Sequence, residues 1–149
     1  QCSSHANMGG VISIVGSESP RITENIAVTG NIDVTGEVLA DKAYIAETTL
    51  TDQATITWDM SSQSVSKVTL GGNRTMAAPT NGSTGQFCSI LVIQDGTGSR
   101  TLTWNAVFEF ASDTAPTLTT TASLGDLFTF RYNGSKWLEV GRNQALTLS

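Results

Sequence analysis

The chain has 149 residues, a net charge of −5 and only 14% charged side chains, with 39% hydrophobic residues. That length allows one compact domain with an appendage, or two small parts. The scattered basic residues argue against a nucleic-acid surface, no apolar run approaches the roughly 18–20 residues of a membrane helix, and abundant Thr with little charge favours strands over helices.

Residues 1–20 read as an extended N-terminal arm. Val11–Ile12 and Ile14–Val15 are short β-branched stretches interrupted by Gly9, Gly10 and Gly16. Such an arm orders when it docks on another protein. No basic region precedes an apolar core here, so no intact secretory signal is expected, and the absent initiator Met suggests processing or numbering from the second codon.

Residues 21–60 carry a repeat. Six consecutive hexads, from Asn25 to Met60, read NIAVTG, NIDVTG, EVLADK, AYIAET, TLTDQA and TITWDM. Their second positions are Ile26, Ile32, Val38, Tyr44, Leu50 and Ile56, and their fourth positions begin with Val28 and Val34. A period of six fits short strands with regular bends, as in fibres and solenoids. A unit this small cannot bury its own apolar side, and two single-chain coils fall short of the three that an isolated solenoid needs. A homotrimeric β shaft is therefore expected, with Ile26, Val28, Ile32, Val34, Val38, Tyr44, Leu50 and Ile56 in the shared core; the alternative is a plain β-meander whose spacing happens to be six.

Residues 61–149 read as an antiparallel, jelly-roll-like β-sandwich, so the chain as a whole is assigned to the all-β class. Ser64–Leu70 alternates into a Gly71-Gly72-Asn73 turn, Phe87–Gln94 suits a central strand, and the turn formers Asp95–Ser99 lead to Thr101–Trp104. Phe108 and Phe110 alternate before another turn. Leu127–Tyr132 and Lys136–Val140 form the last hairpin. A three-residue Asn133-Gly134-Ser135 loop would set Phe130 opposite Leu138, Tyr132 opposite Lys136 and Arg131 opposite Trp137.

Candidate chemistry is sparse. The one histidine, His5, lies in the arm, so no nucleophile–base pair is expected. Cys2 and Cys88 with His5 cannot make a structural zinc site, and Cys88 reads as a buried hydrophobe. Asp59, Asp95, Glu109, Asp113, Asp126 and Glu139 read as turn caps or outward strand residues. No phosphate-binding loop is present, and Asn-x-Ser/Thr triplets at Asn73, Asn81 and Asn133 read first as turns. The expectation is a non-enzyme with no catalytic, cofactor-binding or metal residues and no cofactor. Trp58, Trp104 and Trp137 are either packing or a sugar-stacking platform; Trp104 and Trp137 are the candidate surface-binding residues.

The stretches GGNRTMAAPTNGSTGQ, VIQDGTGSRTLTWNAVFEF, APTL and LFTFRYNGSKWLEVGR, in that order, give the second region a family likeness. It resembles a small β-domain found at the ends of bacteriophage tail fibres, head fibres and other virion appendages. The likeness covers roughly Ser64 to Arg142, and the Val-Thr-Gly hexads also look like shaft repeats of trimeric phage fibres. The resemblance implies a homotrimer with an arm, a shaft and a distal head, and brings no catalytic or metal residues. The few hexads favour a short decoration fibre on the virion surface, anchored through residues 1–20 to the major capsid protein or another virion protein. The alternative is a receptor-binding tail fibre or tail-tip component that contacts host surface glycans. Neither nucleic acid nor membrane is an expected partner.

Overall fold

The computed structural model describes Thr29 and residues 32–148. The chain divides into two units, Gln1–Asp41 and Lys42–Ser149. In the first, the described residues 32–41 form no strand, and all are exposed.

The second unit is all-β, built from β1 (Thr48–Thr49), β2 (Thr55–Ile56), β3 (Val65–Leu70), β4 (Arg74–Met76), β5 (Phe87–Gln94), β6 (Leu102–Trp104), β7 (Phe108–Glu109), β8 (Leu124–Tyr132) and β9 (Trp137–Thr147). A six-stranded sheet runs β1-β3-β5-β8-β9-β7, and a three-stranded sheet runs β2-β4-β6. Strand direction departs from the expected antiparallel sandwich. β1 to β3, β3 to β5, β2 to β4 and β4 to β6 all pair in parallel, as does β7 to β9. Only β5–β8 and β8–β9 are antiparallel. Parallel neighbours need a long crossover between them. In the first four of these parallel pairings the intervening strand belongs to the opposite sheet, so the chain alternates between the sheets from β1 to β7 and stacks each turn on the last, whereas β7 and β9 are joined through β8 of their own sheet. The result is a three-rung solenoid, closed by the β8–β9 hairpin against β5.

The first rung corrects the expected boundary at residue 61. Leu50, Ile56, Trp58 and Met60 lie in the same buried cluster as Val68, Leu70, Ile90 and Phe128. Leu50 and Ile56, expected in a shaft shared between chains, are 3% and 0% exposed within this one chain. The reason is register: Thr55 and Ile56 pair with Thr75 and Met76, which turns Ile56 towards the six-stranded sheet. Three rungs supply the neighbours that two coils lack.

Alternation sets the inner face. Ser66, Val68 and Leu70 of β3, and Cys88, Ile90, Val92 and Gln94 of β5, are buried. The polar members are satisfied: Ser66 Oγ donates to the Gln63 carbonyl at 2.7 Å, and the Gln94 amide exchanges two bonds with the Arg100 backbone at 2.8 and 2.9 Å. Gly98, at φ +74, takes the chain against the 120–122 segment, where a Cβ would stand 2.5 Å from the Thr120 carbonyl oxygen.

The last hairpin is also corrected, by one residue. Tyr132 faces Trp137, Arg131 faces Leu138 and Phe130 faces Glu139. The loop has four residues because Asn133 Oδ1 accepts from the backbone N–H of Ser135 at 2.9 Å and Lys136 at 2.7 Å. The expected register would have left Trp137 beside Arg131 on the outer face. The observed one turns it inward, 2% exposed and stacked on Tyr132 with ring centroids 4.6 Å apart. It also places Glu139 on the inner side, where the Arg142 guanidinium lies 2.9 Å from its carboxylate.

Candidate functional site

The acidic residues serve mainly as local staples. Asp95 accepts from the backbone N–H of Thr97 and Gly98, and the Arg100 guanidinium lies 2.8 Å away. Arg100, and then the Gly98 N–H, hold the Asp95 carboxyl down at about 2. Asp59 is lowered chiefly by its bond from the Asn81 amide, and Asp52 chiefly by Arg74, which closes the β3–β4 turn at 2.7 Å. Asp126 breaks the pattern. It is 2% exposed and faces inward, accepting from Thr119 N–H and Oγ1 at 2.7 Å each and from Ala145 N–H at 3.0 Å. Its signal lay in the alternation of β8, where Asp126 has the parity of Phe128 and Phe130; composition alone suggested an outward residue. Among the described residues no group of three or more His, Cys, Asp or Glu is placed to hold a metal. His5 and Cys2 lie outside the described residues. Burial pushes the Cys88 thiol up to about 12, which leaves it protonated and inert at neutral pH.

The tryptophans pack within the module: Trp137 is buried, which takes it out of the expected surface platform, while Trp104 is part-exposed. Trp104 is half-buried, with its ring 5.0 Å from Phe108, 5.1 Å from Phe128 and 5.5 Å from Phe110 in edge-on contacts. Trp137 is covered on one side by Tyr132, and a Cβ on Gly82 would stand 2.7 Å from its ring. Trp58 is buried and donates to the Gln63 carbonyl at 2.6 Å. Trp58 and Trp137 are thus closed to a stacked sugar, whereas Trp104 is part-exposed.

The expected shaft residues divide. Ile26 and Val28 lie outside the described residues. Ile32, Val34, Val38 and Tyr44 are 72%, 45%, 74% and 81% exposed, and the flanking Leu39 and Ile45 are 99% and 65%. Leu50 and Ile56 are buried as described above. Tyr44, Leu50 and Ile56 are consecutive second positions of the repeat, yet the burial changes between the first and the other two. The phase of the repeat is unbroken; what changes is whether this chain supplies a cover.

Two grooves mark the surface of the second unit. One, of about 210 Å³, is bounded by Arg100, Thr101, Leu102, Pro116, Thr117 and Leu118. The other, of about 280 Å³, is a shallow apolar trough on the outer face of the six-stranded sheet, lined by Ile45, Val65, Phe87, Ser89 and Thr129. Sequence reasoning placed Phe87 in a central strand but did not single out the trough. The signal was there: Phe87–Gln94 is apolar on both parities, so one half of its side chains must face outward.

The family model described as "Putative phage tail fibre C-terminal domain" matches residues 51–137. That span takes in the solenoid from just before β2 to the start of β9. No curated protein matches the chain.

Proposed function

Because the chain belongs to the phage tail fibre C-terminal domain family, and is thus a bacteriophage virion appendage protein, we propose that it is a non-enzymatic homotrimeric fibre whose distal module is residues 42–148. The observation that carries the trimer is the unbroken hexad phase. Second-position side chains that this chain covers at Leu50 and Ile56 stand open at Ile32, Val38 and Tyr44. Apolar side chains in the same phase of one repeat need the same kind of cover, and identical copies wound together supply it. In this reading residues 1–20 anchor the fibre to another virion protein, and the module is displayed at the particle surface.

Tail attachment is the favoured site, on the strength of the family's description, with host surface glycans as the class of receptor. The groove beside Arg100 and Pro116 is the candidate site for a small polar ligand, since threonines and the Arg100 side chain, ion-paired with Asp95, stand beside apolar walls. A short fibre decorating the capsid through the same arm is the other arrangement. Labelling intact particles with an antibody to residues 42–148 and imaging them decides between the two. A few copies at the tail, with loss of adsorption on deletion, supports the tail fibre; copies spread over the capsid overturn that assignment in favour of decoration. Absence of label from purified particles overturns the displayed-module reading altogether.

A further inference from the structure

We propose that the outer face of the six-stranded sheet is an interface between copies of this chain, with Phe87 and Ile45 at its centre. The inference rests on the reading of the protein as a self-associating fibre and assigns a specific surface to it.

Cross-strand partners share a face, so the outer surface can be laid out row by row. Phe87 pairs with Arg131, and Arg131 with Leu138. Val65 pairs with Ser89, and Ser89 with Thr129. Lys67 pairs with Leu91, and Leu91 with Leu127; Thr69 pairs with Ile93. The alternate residues of the same strands fill the core, so β5 is apolar on both sides. The β1–β3–β5 part of the sheet is a parallel ladder, and such ladders are ordinarily covered on both faces, whereas the described residues cover this one on one. Phe87 is 57% exposed and Ile45 65%, and together they wall the apolar trough. An exposed Phe at the centre of a contiguous apolar trough marks an interaction site, unlike scattered surface hydrophobes.

Two observations point to a second copy as the occupant. The first is continuity: Ile45 lines the trough and directly follows the open hexad residues that run from Ile32 to Tyr44. A partner that covers Tyr44, in the same unit as the sheet, meets the trough at the next residue. The second is charge. Lys67 is paired with Glu47 at 2.7 Å, but Arg131 has no ion pair among the described residues. Asp33, Glu37 and Asp41, on the exposed stretch of the same chain, likewise have none among the described residues. Among the described residues each copy thus carries both an apolar face with an unpaired cation and an apolar stretch with unpaired carboxylates, a charge pattern that favours a second copy as the partner.

The test uses the full chain and its Phe87→Asp, Ile45→Asp double variant, compared by analytical ultracentrifugation over a concentration series, with far-UV circular dichroism and thermal unfolding alongside. The wild type is expected to sediment as an oligomer. The variant is expected to dissociate at concentrations at least about tenfold higher, since two apolar side chains lose their burial and carboxylates take their place. Its fold should be unchanged. A variant with the wild-type concentration dependence overturns the assignment of this face while leaving the fibre reading in place. A wild type that is monomeric throughout overturns the fibre reading itself. If the aspartates impair folding, Phe87→Thr with Ile45→Thr is judged by the same criterion. A variant that keeps its oligomeric state but loses binding to host cells also overturns the assignment, because the face then serves another partner.

Discussion

Residues 32–41 and the module that follows both draw on β-branched residues, and the hexad phase of the first runs on to Met60, yet the first leaves its large apolar side chains open while the module closes around Leu50 and Ile56. Local propensity therefore does not separate them. What separates them is long-range company. Ile56 has Met76 beside it in its sheet and the aromatic cluster of the hairpin within the same core; Val38 has neither among the described residues of its own unit. Strand-forming sequence becomes structure only where later rungs return to cover it, because each ordered residue must offset about 1–2 kcal/mol of backbone entropy.

The comparison is broken most directly by truncating one residue from each region. Phe128 is fully buried, opposite Ile90 in β5 and against the Trp104 ring. Phe128→Ala should destabilise the module by about 3–5 kcal/mol in urea unfolding followed by tryptophan fluorescence. Val38→Ala should change the same transition by less than about 0.5 kcal/mol. Comparable losses from both would mean that the stretch is part of the module's cooperative unit.

Asp126 sharpens what holds the module closed. Asp126→Ala removes the acceptor for the Thr119 and Ala145 N–H groups and releases Ala145, which sits at φ +58. The expected cost is about 1.5–3 kcal/mol by chemical denaturation, the loss of hydrogen bonds to a charged acceptor. Faster proteolysis within residues 114–123 should accompany it; an unchanged denaturation midpoint would show that Asp126 is not the staple.

The all-β class, the strands at β3, β5 and β8, and the turn chemistry of Asp95 and Asn133 were legible in the sequence because they are local. Direction of pairing was not. Nothing in Val65–Leu70 or Phe87–Gln94 states that they run parallel, since that depends on β4 crossing to the opposite sheet between them. The hairpin register failed for a related reason: Trp137 has the same neighbours in sequence whichever face it takes, and its burial is decided by Tyr132 and the close approach of Gly82. Hexad phase was readable and persists into the module; the identity of the covering chain was not written in it.

The stretch answers to a different probe. Ile32→Asp should leave the urea transition of the module within about 0.5 kcal/mol of wild type while weakening self-association measured by light scattering, because it would place an unpaired charge among apolar neighbours in each copy. An oligomer as tight as wild type would sink the assignment of Ile32 to a shared core.

The smallest effect concerns the turn at Asp95, where the module's order depends on charge. The carboxyl is held at about 2, below its ordinary 3.8, by Arg100 and the Gly98 and Thr97 N–H groups. A depressed carboxylate contributes its stabilisation above the unfolded value and loses it as pH falls towards the folded one. Amide exchange at Thr97 and Gly98 should therefore keep its protection, relative to the core amides of β5, from neutral pH down to about 4, and lose it progressively towards about 2. In Asp95→Asn the same amides should show no such step, since the side-chain oxygen still accepts but carries no titrating charge. A step that persists in the variant would place its origin in another carboxylate. Asp52, held down by Arg74 across the neighbouring turn, is the one to replace next.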